Sequence, residues 1–518
     1  MIWFVLCSLL SGDGPPHVDA TALARQIDGR IVATLDAERV TPGDLADDAE
    51  FLRRVSLDLI GRIPTADEVL AFLRDTKTDR RALAIDRMLR SPDHARHFAR
   101  VWRALLMPEA ETEPQVAYLV PGFEAWLEQR RIERVGFDSI VRELLSVPIA
   151  RPDGAPQFVL RDMRKPNPLA FMAAKNAEPA KIASTSVRMF FGLRLECAQC
   201  HDHPFDHWTR EQFWNQAAFF AGIERRGRGT FAPLVENAGK SSIETMESRG
   251  EVAARFLDKS PPQTGDGRPA RPQFAEWMTS PDNPYFARAV TNRIWSQLMG
   301  RGLIDPVDDI REDNLPSHPE LLNDLSAAFA RSGFDVEFLH RAICLSETYQ
   351  RTSRQSDDRQ ARPELFARRQ VKPLSADQFF DSLAQAIAYE APDRRGENDE
   401  EADMIRRRLL RAFESGEASG DPETSIAQAL ALMNGGLVAG AVSPKSSKRL
   451  QQVLADHSDS RDRQVEALYL HTLGRLPSDS ERETVGEFFK QSSETDPGKQ
   501  LGSVFWMLLN SAEFRWNH

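Results

Sequence analysis

Five consecutive residues concentrate the chemistry of this chain: Cys197-Ala198-Gln199-Cys200-His201, running on through Asp202-His203-Pro204-Phe205-Asp206-His207-Trp208. Cys-x-x-Cys-His is the attachment pattern for c-type haem. Two thiols on one short helical turn, Cys197 and Cys200, reach the two vinyl groups of a porphyrin. The next residue, His201, then offers its imidazole to the iron as proximal ligand. The segment takes two of the four cysteines and three of the eleven histidines in 518 residues, so chance placement explains it poorly. Zinc is the competing chemistry, since thiolate and imidazole are its preferred ligands. Its ligands would be Cys197 and Cys200 with two of His201, His203 and His207, the set Cys197, Cys200, His203 and His207 foremost, although structural zinc knots usually draw their second ligand pair from further away. A disulfide between the two thiols is a third reading, but no thioredoxin-like strand and helix surround them. Two buried cysteines beside solvated histidines complete the alternatives.

The elements that must position this turn are helical. Ile182–Leu195 forms the approach. Thr209 and Gln212 make a capping box for the helix that follows, whose Phe213, Trp214, Ala217 and Phe220 either wall a porphyrin or pack as ordinary core. The sixth iron position decides between electron transfer, which favours a second strong ligand, and small-molecule chemistry, which needs an open site. Met246 and Met278 downstream, and His94 and His97 upstream, are the candidates for it. His203 and His207 would have to cross the porphyrin edge.

Composition bounds the rest. With 41% hydrophobic and 28% charged residues the chain reads as globular, and 518 residues suffice for more than one core. A net charge of −11 argues against a nucleic-acid surface, which needs a basic footprint. The run Arg406-Arg407-Arg408, flanked by Ile405, Leu409 and Leu410, reads as the solvated face of an amphipathic helix. The apolar stretch Ile2–Leu10 is too short to span a bilayer. It fits the hydrophobic part of a secretory signal, although no Lys or Arg precedes it. Export is the expectation, because haem is generally attached covalently outside the cytoplasmic membrane.

In chain order, Phe51, Leu52, Val55 and Leu59 fall at helical spacing before Gly61 and Pro64, and Thr65 with Glu68 caps a second helix. The design recurs near the end: Gly61-Arg62-Ile63-Pro64-Thr65 matches Gly474-Arg475-Leu476-Pro477-Ser478, with Glu481 completing another capping box. Either this is one local solution to one kind of turn, used twice, or the two copies pack in related ways; the local solution is the simpler reading. Helical patterns continue through Arg80–Leu89, Ala95–Met107 and Phe123–Leu145. Periodicity fades between 225 and 273, and again between 391 and 424, which marks linkers or irregular excursions. Between them Phe274–Met278, Phe286–Met299, Leu321–Phe329 and Val336–Leu345 read as helices, the third capped by Ser317-His318-Pro319-Glu320. The fold expected is mostly α and multi-domain: a signal-like segment and linker (1–40), a domain bearing the Cys-x-x-Cys-His motif (41–224), an irregular stretch (225–273) and a second helical domain (274–518).

Phe51-Leu52-Arg53-Arg54-Val55-Ser56-Leu57-Asp58-Leu59-Ile60-Gly61 with Pro64-Thr65, and Cys197–Trp208 with Phe213-Trp214 and Ala217-Ala218-Phe219-Phe220, resemble the planctomycete-specific cytochrome family (PSCyt type). Ser280-Pro281-Asp282-Asn283-Pro284, Asn292-Arg293-Ile294-Trp295, Gly300-Arg301-Gly302-Leu303, Pro316–Leu322 and Leu509–Phe514 resemble its companion PSD-type domain. Both are domains of unknown function, so the resemblance implies an architecture and covalent haem c rather than a reaction. Relatives place a histidine about where Val101 stands here, which is a departure from the pattern.

Three functions follow as expectations. The first is an exported c-type-haem protein that transfers electrons or supports a partner oxidoreductase. The second is an enzyme or accessory of envelope polysaccharide metabolism. It is suggested by the sulfatase-like neighbours of relatives, with Asp282, Asn283, Arg293, His318 and Glu320 as polar candidates. Capping accounts equally well for Ser317 and Glu320, and an ion pair for Arg293. The third is a zinc-stabilised helical scaffold.

Overall fold

The structure is a computed structural model, and it describes residues 19–154, 165–245, 250–263, 269–389, 406 and 436–518. The signal-like residues 1–18, Met246 and nearly all of the 391–424 stretch therefore lie outside the described residues. The chain is mostly helical. No helix among the described residues is long and apolar enough to cross a membrane.

The helix Asp48–Ile60 is the bolt of the molecule. Asp47 caps it by accepting the Ala49 and Glu50 N–H groups, and Gly61 ends it in the left-handed conformation at φ 72°. A Cβ on Gly61 would sit 2.5 Å from His97 Nδ1, so both space and backbone require glycine there. Its charged residues are buried as deeply as its apolar ones. Arg54 donates to the Tyr349 carbonyl at 2.7 Å and the Arg351 carbonyl at 2.8 Å, and pairs with Glu50 at 2.7 Å. Arg53 reaches the carbonyls of Thr472, Glu513 and Phe514. Asp58 accepts from Tyr349 Oη at 2.7 Å and Asn517 Nδ2 at 2.8 Å, and pairs with Lys372 at 2.6 Å and Arg369 at 3.4 Å. One helix thus fastens segments three to four hundred residues away. A buried charge persists only when paired and hydrogen-bonded in this way.

Apolar side chains gather into two clusters. The larger takes in most helices from Ala20 to Ala367, with Phe98, Trp102, Phe137, Phe190 and Phe286 in mutual ring contact near its centre. The smaller runs from Leu374 to Phe514 and is joined by Leu57 and Ile63, so the Asp48–Ile60 helix feeds both.

The repeated turn keeps its design. Thr65 with Glu68, and Ser478 with Glu481, form complete capping boxes. In each copy the arginine closes on the boxed glutamate and on a second acid: Arg62 on Glu68 and Asp93, Arg475 on Glu481 and Glu513. The copies also touch, which the reading as a purely local solution did not foresee. A Cβ on Gly474 would lie 3.4 Å from Pro64 Cγ, and Arg53 donates to Thr472 just before the second turn.

Part of 225–273 has regular structure. Two short antiparallel hairpins pair Ile223–Arg225 with Leu234–Glu236 and Ser242–Glu244 with Glu251–Ala253. Arg406 departs from the solvated-face expectation: it is largely buried and bonds Asp381 at 2.8 Å and also Asp377, in an acidic pair shared with Arg100 and Arg103. Arg407 and Arg408 lie outside the described residues.

Candidate functional site

The Pro179–Phe191 helix buries Ile182, Val187, Phe190 and Phe191 and stops at Gly192, left-handed at φ 68°. A 3₁₀ turn, Leu195–Ala198, follows. Leu195 and Ala198 point into the core while Cys197 and Cys200 are exposed free thiols. Cys197 lies within this turn and Cys200 two residues past its end, in a bend, and both are exposed.

The loop beyond is short, exposed and tied down. His203 N–H donates to the Trp208 carbonyl at 2.8 Å, which closes it on itself. Trp208 is buried and stacks loosely on His207 at 4.2 Å. The next helix, Arg210–Ala218, starts at the expected capping box of Thr209 and Gln212. It grips the loop twice: Trp214 Nε1 donates to the Gln199 carbonyl at 3.1 Å, and the Arg210 N–H donates to Asp202 Oδ1 at 2.8 Å. Of the aromatic face expected to wall a porphyrin or fill the core, Phe213, Ala217 and Phe220 are core. Trp214 alone of that face bonds the motif. Phe205, 76% exposed, is the most exposed large apolar side chain among the described residues and lies four positions after His201.

The three imidazoles do not all share one tautomer in the neutral form, and their partners say which is which. His201 Nδ1 lies 2.7 Å from the Asp202 carbonyl. A carbonyl only accepts, so Nδ1 carries the proton and Nε2 keeps its lone pair. His207 Nδ1 lies 2.7 Å from Asp206 Oδ1, with the same consequence when the ring is neutral. His203 is reversed. Its Nδ1 accepts the Phe205 N–H at 3.2 Å, which leaves the proton of the neutral ring on Nε2.

The second half of the chain helps to seat the turn. Ile310 N–H donates to the Gly192 carbonyl at 2.8 Å, and Asp308 receives Arg194 at 2.9 Å and also Arg188. Burial raises the Asp308 carboxyl, but these two guanidiniums bring it below its ordinary range. Tyr285 meets Trp208 at 6.5 Å between ring centroids. Burial, then Asp206 and Glu312, push its phenol up.

The other residues singled out by sequence are dispersed in role. Among the described residues no group of three or more His, Cys, Asp or Glu is arranged to hold a metal ion. Among the described residues no hydrogen bond or ion pair joins any two of Asp282, Asn283, Arg293, His318 and Glu320. Asn283 Oδ1 accepts the Tyr285 and Phe286 N–H groups at the start of a helix. Arg293 is buried and bonds the Arg188 carbonyl at 3.4 Å rather than a carboxylate. His318 is buried and is itself the N-cap of Pro319–Arg331, without a side-chain capping bond, while Ser317 Oγ donates to the Leu303 carbonyl. Glu320 pairs with Arg30. Met278 is wholly core. His94 is buried, its Nδ1 donating to the Leu59 carbonyl at 2.8 Å.

Sequence reading passed over the polar lattice of Arg53, Arg54 and Asp58. Its signal was present: charged residues four apart, Arg54 and Asp58, inside an otherwise apolar helical run.

Residues 26–225 match the family model described as PSCyt2, protein of unknown function (DUF1549), and residues 270–407 match PSD1, protein of unknown function (DUF1553). No curated protein and no solved structure matches the chain. The motif lies in the first match, while Tyr285, Asp308 and Ile310, which seat it, come from the second. The chain is a fusion of the two planctomycete-type domains, PSCyt2 first and PSD1 second.

Proposed function

We propose that this protein is an exported c-type-haem-binding protein that carries electrons or supports a partner oxidoreductase. Cys197 and Cys200 form the two thioethers and His201 ligates the iron. The observation that carries the reading is the His201 tautomer. Metal-ligating histidines as a rule donate their other ring N–H to a carbonyl, carboxylate or water, and His201 Nδ1 meets the Asp202 carbonyl at 2.7 Å, leaving Nε2 for the iron. The exposed thiols of Cys197 and Cys200 support it too, since thioether formation needs both sulfurs within reach of the porphyrin. Phe205 and Trp214 supply apolar edges beside the turn. Haem held there would supply a one-electron couple tuned by its axial ligands and exposure. Export accompanies the proposal through the compartment in which such haem is attached.

The zinc alternative is served less well. In the neutral ring His203 keeps its proton on Nε2 and spends the Nδ1 lone pair on Phe205, so zinc at Cys197 and Cys200 would have to draw on His201 and His207 instead.

The test is expression alongside haem-attachment machinery, followed by acid-acetone extraction and a pyridine haemochrome spectrum. The expected result is red protein whose colour resists extraction, with Cys197→Ala plus Cys200→Ala colourless. Colourless wild-type protein containing one zinc per chain would overturn the reading.

A further inference from the structure

Asp202 occupies an unusual position. Its backbone carbonyl takes the proton of His201 Nδ1 at 2.7 Å, while its side-chain Oδ1 takes the backbone N–H of Arg210 at 2.8 Å. Arg210 is the first residue of a helix whose Phe213 and Ala217 are buried in the core. One residue therefore joins the imidazole to the rigid part of the molecule. Its carbonyl aims the ring, and its carboxylate holds the peptide that bears the carbonyl. Both Asp202 and His201 are exposed, so neighbouring side chains do not enclose the ring as they would in a core. An exposed ring without such a reference samples several rotamers and both tautomers.

We infer that Asp202 is the positioning residue of His201: its side-chain bond to the start of the Arg210–Ala218 helix fixes the imidazole with Nδ1–H inward and the Nε2 lone pair outward, toward a haem iron. The tether from Trp214 to Gln199 restrains the same loop three residues earlier and makes no bond to Asp202 or His201. His203, only one residue beyond Asp202, takes its tautomer from Phe205 instead. The two neighbouring imidazoles thus have separate controls. Haem ligation by His201 is the reading of the preceding section, and the significance of the orientation rests on it. The orientation itself does not.

The experiment uses full-length, haem-free protein labelled with ¹⁵N-histidine, with His201→Gln and His203→Gln variants assigning the two rings. Long-range ¹H–¹⁵N correlation at neutral pH reports each tautomer. Wild type is expected to show His201 protonated on Nδ1 and His203 on Nε2. Asp202→Ala is expected to convert His201 to a mixture and leave His203 unchanged. Asp202→Asn, which keeps an acceptor for the Arg210 N–H, restores the wild-type pattern, and Trp214→Phe preserves it. An unchanged His201 in Asp202→Ala overturns the inference, as does loss of the pattern in Asp202→Asn or Trp214→Phe. In haem-loaded protein, Asp202→Ala is expected to raise the midpoint potential, because a weakened Nδ1–H bond makes the imidazole a poorer donor to iron. The haem-free spectrum tests the clamp and the haemochrome spectrum tests the cofactor, so either can fail alone.

Discussion

The Cys197–Trp208 turn and the polar groups around Asp58 and His94 both concentrate titratable side chains, and they are built in opposite ways. Around Asp58 the groups are largely shielded from water and the carboxylate is shared among many partners, although Arg53 Nε, Arg369 Nε and Asn517 Oδ1 are buried without a hydrogen-bond partner within the protein. Lys372, Arg369, Tyr349 and Asn517 all converge on one carboxylate. At the turn the backbone and two side chains do the holding, while the thiols and the His201 Nε2 are left over. The contrast separates residues that a fold uses up from residues that it presents. Chemistry is expected where the second kind collects.

The largest effect should come from breaking the sealed region. Asp58→Ala leaves Lys372 and Arg369 with backbone carbonyls but without their counter-charge, and removing one member of a buried ion network costs roughly 3–5 kcal/mol. Urea denaturation should show that loss, and a loss below about 1 kcal/mol would mean the network is not a bolt. Burial raises the Asp58 carboxyl, yet Lys372 and Arg369 outweigh it and hold the group below its ordinary range. Its contribution is therefore present above the unfolded pKa of about 4 and lost as pH falls below it.

Histidines sharpen the same comparison. His94 and His340 are buried with ring centroids 5.4 Å apart, and His94 Nε2 and His340 Nδ1 have no hydrogen-bond partner within the protein. Burial, with Arg131 nearby, pushes His94 down to about 3, and burial drives His340 well below its ordinary value. A lowered histidine pKa means that the unfolded chain binds the extra proton. This stability is thus complete above about pH 6.5 and drains away as the medium acidifies toward the folded pKa. His94→Gln, whose amide can still donate to the Leu59 carbonyl, should flatten the fall in stability between about pH 6 and 4 by up to ~1.4 kcal/mol per pH unit. Equal slopes in variant and wild type would show that His94 is not buried neutral.

What the sequence disclosed divides along the same line. Capping boxes at Thr65, Thr209 and Ser478 were legible because every partner lies three residues away. The Cys197–His201 motif was legible because its spacing is itself the chemistry. Asp58 was not, since Tyr349, Lys372 and Asn517 lie roughly 300 to 460 residues along the chain and no local pattern announces them. The hairpins between Ile223 and Ala253 escaped because strands of three residues hold too little alternation to stand out. Arg406 misled for a related reason: its partners Asp377 and Asp381 belong to another helix, and a charge beside apolar residues looks solvated until that helix is in place.

The smallest expected effect carries as much information as the largest. Replacing Cys197, Cys200 and His201 together by alanine removes two exposed thiols and an exposed imidazole that bonds the next residue's carbonyl. The anchors Leu195, Ala198 and Trp208 remain, as do the tethers from Trp214 and Arg210. Surface substitutions away from caps and cores usually change stability by less than about 0.5 kcal/mol, and the triple variant of the haem-free protein should unfold in urea within that margin of wild type. A loss of several kcal/mol would mean that the turn is a structural knot, its sulfurs engaged with each other or with an ion that braces the fold. Near-neutrality would mean that the fold gains nothing from these three side chains, which is the outcome that the proposed cofactor role requires.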